Sequence, residues 1–445
     1  MARPHADPML GRRAFLLALG VTPRLLALTE PSYGGVLHLR LPIGFNGLDP
    51  HLLDDLGSAL FAPFAFDTLF AVDSRGQPFP ALADGLPESE GRDARVTLRA
   101  GLKTALGKPL GAKDLVFALK RATRMGGVAW LSAFASVRLD SSRERSVLFE
   151  AAQPMPLAKA LASPITAIIP RGFHRLRPDG TGAFRAKPSR NGLVLERNDN
   201  AARGAAFLDG VRAERVGNLS DSLRAFETGE ADVGWLGKGL HQPRAHALGF
   251  DAGPLGWVVL HSGSLAGAWG HPGATGQLVS QLPPERLEHL GVRGMPHASA
   301  GSGWGGPPGE ILVDGASPQL VELGTLVASL LSRPGHELRA VPRSRAELRA
   351  ARGNRAFLLM VDFVRRISDD SDGVVAALYT AADPALARRP PKLRADARTV
   401  ARALPLGVIG ELHAFGAHAD SFVGLSRWDL ANSWLRPSPK PPSRS

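Results

Sequence analysis

From Val36 to Leu41 the chain reads VLHLRL, with leucines alternating with polar residues. A period of two predicts a strand with one buried face. The turn FNGLDPH follows, broken by Asn46-Gly47 and Asp49-Pro50. Residues 58–70 are apolar and predict a helix ending in DTLF. In VDSRGQPFPALADGL, Pro78 and Pro80 forbid a regular helix. ARVTLRAGLK alternates again and predicts a strand. Residues 112–124 (AKDLVFALKRATR) put Leu115, Leu119 and Ala122 on one helical face, and residues 156–170 predict a short helix and a strand.

A Thr181-Gly182 turn then leads to a strand over 192–197. Ser220 is placed to cap a helix whose Leu223 and Phe226 face inward and which Gly229 stops; residues 231–236 follow as a buried strand. Residues 263–308 are rich in Gly, Pro, His and Trp and predict little regular structure. Order returns at GEILVDG. Ser317-Pro318 opens a helix carrying Leu320, Leu323, Val327 and Leu330, ended by Pro334-Gly335. A strand over 338–341, a helix over 344–351, a buried strand over 356–363, a helix over 374–379 and a strand over 404–412 complete the pattern. Strands alternate with helices without an internal repeat, which predicts an α/β chain of more than one lobe.

Composition narrows the chemistry. The 445 residues, 44% hydrophobic and 21% charged, are enough for two or three packed lobes. The net charge of +12 comes mostly from arginine spread along the chain. No basic block is interleaved with aromatics, so nucleic-acid binding is not expected. The absence of cysteine excludes disulfides, thiolate catalysis, Cys-zinc sites and N-terminal lipidation together. No Ser-His-Asp set, paired carboxylates or Walker loop stands out. GSGWGG (301–306) precedes no convincing helix. An enzyme is therefore not expected, nor a cofactor. His413 and His418, in ELHAFGAH, are five apart and do not share a helical face; without a carboxylate framework they do not predict a metal site. Residues 11–28 (GRRAFLLALGVTPRLLAL) place Arg12-Arg13 before an apolar run too short to span a bilayer. This predicts a twin-arginine export segment, cleaved or retained as an anchor, and a location outside the cytoplasmic membrane.

The order of motifs resembles the bacterial extracellular solute-binding proteins of family 5, the peptide, oligopeptide and nickel-binding type that serve ABC importers. LDPH (48–51) looks like their opening turn. FDTLFAVDSRGQPFPALADG (66–85), VTLRAGLK (96–103) and KPLGAKDLVFALKRA (108–122) resemble the segments that follow it. Gly180-Thr181-Gly182-Ala183-Phe184, Glu196-Arg197-Asn198, Phe207-Leu208-Asp209-Gly210 and Thr228-Gly229-Glu230-Ala231-Asp232-Val233 resemble later ones. Each match is weak alone; their common order carries the resemblance. It implies a two-lobed periplasmic-binding-protein clamshell of type II with an extra subdomain. Residues 33–53, 164–250 and 385–435 would form lobe I, 54–163 the subdomain and 251–384 lobe II, between an export segment and linker (1–32) and a disordered tail (436–445). It also implies a small-molecule or peptide ligand held between the lobes, an ABC permease as partner, and a monomer. A diverged clamshell acting as scaffold or sensor is the alternative.

The chain departs from the family pattern in places. Ala201-Ala202 replaces an aromatic pair, and Pro283-Pro284 interrupts a helix at 275–287. Peptide-binding members carry an aspartate after a buried strand to meet the peptide's amino group. Here, in VDFVRRISDDSD (361–372), Ile367 or Ser368 falls at that position, with Asp369 and Asp370 just beyond. Arg365 and Arg366 in the same turn favour an anionic group instead. The candidate ligand-binding residues are Asp54 and Asp55 after LDPH, Trp235 where the chain leaves a lobe, Trp257, Phe363, Arg365, Asp369 and Asp370. Trp269 and Trp304 are further aromatics that the core can equally claim.

Overall fold

The computed structural model describes residues 31–131, 136–150, 154–236, 244, 246–294, 301, 303–383 and 396–436. The segment through residue 30, where an export signal is expected, and the residues beyond Arg436 lie outside the described residues. Among the described residues no helix is long and apolar enough to cross a membrane.

Alternation in VLHLRL buries Leu37, Leu39 and Leu41 to 1% exposure or less. This first strand, Val36–Leu41, lies parallel to Gly210–Arg215 on one side and Val233–Trp235 on the other. The hairpin Phe184–Ser189 with Gly192–Arg197 completes that half of the sheet. In the other half, Gly309–Asp314 lies parallel to Leu338–Arg343 and to Leu359–Arg365. The helices Pro318–Leu331 and Arg345–Asn354 connect these three strands. Every residue of Leu359–Arg365 is buried, as a central strand covered on both faces requires.

Two long antiparallel strands join the halves into one sheet of eleven strands. Leu248–Ser262 and Leu406–His418 pair with each other over nearly their whole length. At one end Gly416–His418 pairs with Val233–Trp235 of the first half. At the other, Gly256–Ser262 pairs with Leu359–Arg365 of the second. The register shifts between Asp251 and Pro254 and again between Pro254 and Gly256. Extra residues at such bulges bend a strand and sharpen its twist, so the sheet turns where one half passes into the other.

A smaller sheet of four strands (Glu88–Glu90, Asp93–Thr97, Val137–Leu139, Ser146–Glu150) and the helix Ala112–Ala122 are built from the segment between the first strand and the hairpin. Leu115, Leu119 and Ala122 are buried on the expected face of that helix.

Several boundaries move from expectation for local reasons. The helix expected over 58–70 is Leu56–Ala65, because Asp55 rather than Ser58 begins it: its carboxylate accepts from the Ser58 amide at 3.2 Å. Asn218, not Ser220, caps Leu219–Glu227 by accepting from the Asp221 amide at 2.7 Å. The strand expected within 156–170 is absent; Pro154–Ala160 is helical and Pro164–Thr166 is a 3-10 turn. Leu331, not Leu330, completes the buried stripe of Pro318–Leu331. The glycine-rich 263–308 region includes the short helix Ala274–Val279 and the strand Val292–Gly294, which pairs with the long return strand.

The Gly-Thr-Gly turn is a packing device. A Cβ on Gly180 would overlap the Ala65 carbonyl oxygen, and one on Gly182 the Phe64 carbonyl. Between them Thr181 Oγ1 donates to Asp67 at 2.8 Å. The Gly182 amide donates to Ala65 O at 3.1 Å and fastens the helix Leu56–Ala65 to the hairpin.

Candidate functional site

The stretch after the first strand carries a polar network into the second half. Asp49 receives both terminal nitrogens of Arg121, at 2.9 and 2.5 Å. Its neighbour His51 donates from Nε2 to Ala167 O at 2.8 Å and faces Arg121 Nη1 with Nδ1 at 3.0 Å. A guanidinium can only donate, so Nδ1 is the acceptor and the ring is neutral. Burial pushes the His51 pKa down to about 4, against the pull of Asp49.

Asp54 and Asp55 come next. Asp55 accepts Ser58 Oγ at 3.1 Å and lies 2.6 Å from Arg345. Arg345 also holds Asp314 at 2.9 Å. Burial opposes the Arg345 charge, but the two carboxylates hold its pKa well above the usual arginine range. Asp54 lies 3.2 Å from Arg349 and 4.0 Å from Arg352. Burial works against its charge, yet the Arg349 hydrogen bond and the surrounding guanidiniums hold its pKa below the ordinary carboxylate value. Arg352 also pairs with Asp362, whose pKa burial pushes up to about 6 despite that partner. Beside it, His261 is pushed down to about 3 by burial.

Arg365 is 3% exposed. Its Nη1 donates to Pro50 O at 2.8 Å and its amide to Leu53 O at 2.7 Å. Burial lowers its pKa to about 10, opposed by Asp55 and Asp49. The structure thus brings Asp54, Asp55 and Arg365 to one seam between the halves. The Asp54 and Asp55 carboxylates are already engaged there by arginines.

The other candidates lie apart from that network. Asp370 caps the helix Ser371–Ala382, accepting from the Gly373 amide at 2.9 Å, and pairs with Lys159 at 3.1 Å. Asp369 is exposed and pairs with Arg366 at 2.7 Å. Arg366 lies over the Trp257 ring, 5.9 Å from its centroid, so its charge is shared between a carboxylate and an aromatic face. Ile367, with Ser368 one of two residues expected at the family aspartate's position, is buried and its carbonyl accepts Ser163 Oγ at 2.7 Å. Phe363 is fully buried in its strand.

Trp235 sits where the first half's sheet meets the long strands. It is 1% exposed, and its Nε1 donates to Gln319 Oε1 at 3.3 Å. Gln319 opens the helix Pro318–Leu331; its amide donates to Pro42 O at 2.9 Å and its Nε2 to Leu290 O at 2.9 Å. Around Trp235 an aromatic chain runs through Phe250, Trp428, Phe61 and Phe45. Trp428 stacks on Phe250 at 5.2 Å, and its edge meets Trp235 at 5.8 Å and Phe61 at 6.4 Å. Trp269 and Trp304 form a separate pair, 5.7 Å apart.

His413 and His418 lie on the strand Leu406–His418, not on a helix, so helical spacing does not govern them. His413 Nε2 faces Glu411 at 3.3 Å, while His418 Nδ1 faces its neighbour's carbonyl, Ala419 O, at 2.9 Å. Among the described residues no three His, Cys, Asp or Glu side chains gather as metal ligands.

Sequence reasoning missed the arginines of the helix Arg345–Asn354 and the aromatic partners Phe250 and Trp428. The arginines had a signal: in RAELRAAR the spacing of four and then three puts Arg345, Arg349 and Arg352 on one helical face. Trp428 had none, since its neighbours come from distant segments.

Residues 77–246 match the family model described as "Bacterial extracellular solute-binding proteins, family 5 Middle". None of the curated proteins matches the chain. Among solved structures, the chain is similar to the oligopeptide-binding protein AppA from Bacillus subtilis in complex with a nonapeptide (14% identity, TM-score 0.66, covering 92% of this chain and 100% of that one). It is also similar to the periplasmic binding protein DppA from Helicobacter pylori in complex with peptide STSA (14%, 0.66, 91% and 99%). A third is the dipeptide binding protein from Pseudoalteromonas sp. SM9913 in complex with Met-Leu (14%, 0.67, 90% and 100%). The likeness establishes an α/β, two-lobed periplasmic-binding-protein fold. The matched region contains the Gly-Thr-Gly turn and the Thr-Gly-Glu-Ala-Asp-Val segment, so the family match over residues 77–246 and the fold around it support the family 5 resemblance that the order of motifs carries.

Proposed function

We propose that the chain is an exported substrate-binding protein of an ABC-type importer, which takes a small solute between its two lobes without catalysis. The observation that carries this is the pair of long strands that run from one half of the sheet to the other and bulge at Asp251–Gly256. Two crossing strands with a bend between them form a hinge, and lobes on a hinge bury a ligand by closing on it. We assign the lobes by the limits that the resemblance implies, and Leu406–Leu412 of the return strand pairs with Gly256–His261. Trp235, with Phe250 and Trp428 beside it, is the wall we assign to the solute, and its burial means the lobes part before a solute enters. Peptides bound by the similar structures make a peptide-like solute the first class to try. Arg365, buried with Pro50 O as its side-chain hydrogen-bond partner, supports an anionic group on that solute.

A specific observation also favours a second reading, a diverged clamshell that serves as scaffold or sensor. Asp54, Asp55 and Trp235 are all partnered within the chain itself. The two readings separate by mass spectrometry of small molecules released when the purified mature protein is denatured. A stoichiometric peptide or other solute is the expected result. An empty protein with no thermal shift across a library of peptides and small acids overturns the transport reading in favour of the second.

A further inference from the structure

Asp54 and Asp55 stand at the start of the helix Leu56–Ala65, whose far end is bonded to Gly182 in the first half. Arg345, Arg349 and Arg352 stand on a helix between two strands of the second half. Their ion pairs therefore cross from one lobe to the other. We propose that this arginine stripe is a latch that holds the two lobes together with no ligand between them. The proposal rests on the two-lobed binding reading only in requiring that the lobes move.

The pairing is built to release. If the lobes part, Asp55 keeps the amide and hydroxyl of Ser58. Arg345 keeps Asp314, and Arg352 keeps Asp362. None of these buried charges is left without a partner, so opening avoids the large penalty of an uncompensated buried ion. Asp54 gives up Arg352, 4.0 Å away, as well as Arg349, so Asp54–Arg349 is the pair that separates outright. Its arginine is 43% exposed and passes directly to water. Arg365, which also bonds across the seam, lies opposite Gly256 at the bulge.

The test is small-angle X-ray scattering of the full mature chain, refolded from denaturant to remove co-purified solutes. Arg349→Gln and Asp54→Asn are each expected to raise the radius of gyration. Arg349→Lys, which keeps the charge, is expected to scatter like the parent, and the charge-reversed double variant Asp54→Arg with Arg349→Asp to restore the compact form. Circular dichroism confirms folding. Folded Arg349→Gln and Asp54→Asn proteins that scatter like the parent overturn the latch. Should either single variant unfold, the double variant decides: expansion there, in folded protein, also overturns it. The released-solute experiment is independent. An empty protein that opens on Asp54→Asn keeps the latch and loses the transport reading, and a loaded protein whose variants stay compact does the reverse.

Discussion

Arg345 Nη1 lies 2.6 Å from Asp55 Oδ2, and the two residues are 290 positions apart in the chain. One carboxylate both caps a helix of the first lobe and receives a guanidinium from the second. Arg345→Ala leaves Asp314, 4% exposed, without its cation. Removing one partner of a buried pair costs about 3 kcal/mol. Arg339, three-quarters exposed and paired with Glu310, is the control. Its alanine variant is expected to cost less than about 1 kcal/mol. Urea denaturation of the two variants, compared at equal m-value, checks the difference.

The Gly180 position tests the packing turn. Gly180→Ala drives a methyl into the Ala65 carbonyl, and overpacking of that kind costs on the order of 2 kcal/mol. Gly85→Ala meets nothing within 4 Å. It is expected to be neutral or to stabilise by about 0.5 kcal/mol through the unfolded chain. Melting temperatures of the pair decide; equal values would show that the helix Leu56–Ala65 shifts to make room.

Two buried histidines set an acid limit. His51 titrates near 4 and His261 near 3 in the folded protein, both below the ordinary value of 6.5. As pH falls below 6.5 the unfolded chain binds protons that the folded chain refuses, so stability falls. Each histidine contributes a slope of up to about 1.4 kcal/mol per pH unit between 6.5 and its folded pKa. The full contribution is present above pH 6.5. Denaturation curves at pH 7 and pH 5 are expected to show this loss, and His51→Gln to remove one proton's share of the slope. An unchanged slope would mean that burial does not hold the His51 ring neutral as described.

Trp235 separates packing from hydrogen bonding. Trp235→Phe keeps most of the aromatic contact with Trp428 and Phe250 and loses the bond to Gln319, at about 1 kcal/mol. Trp235→Ala leaves a cavity in a fully buried cluster and is expected to cost about 3–5 kcal/mol. Chemical denaturation of the two variants measures both. Near-equal losses would make the indole N–H, not the ring, the dominant contribution.

Much of the fold was legible in the sequence because its signals are local. VLHLRL alternates, and Leu115, Leu119 and Ala122 repeat at helical spacing, so each segment declares its buried face without reference to the rest of the chain. Glycines such as Gly180 and Gly182 mark close backbone approach, although the sequence does not show what approaches. The seam was less legible. Asp54 and Asp55 could be singled out after LDPH, but their partners Arg349 and Arg345 lie 295 and 290 residues away. An aspartate in a loop looks the same whether it awaits a ligand or already holds an arginine. Asp370 illustrates the same ambiguity: its place beyond a buried strand drew attention to it, and its local role is to cap the helix Ser371–Ala382.

The long strands Leu248–Ser262 and Leu406–His418 lend backbone to both halves of the sheet. Neither half is therefore a portable piece of chain. A fragment encoding one half would end inside a hydrogen-bonded ladder and expose a raw strand edge to its neighbours. The two halves cannot be exchanged by simple cutting and joining, nor can one be lost while the other persists. Change in such a molecule is confined to side chains and to surface loops, with both halves inherited together.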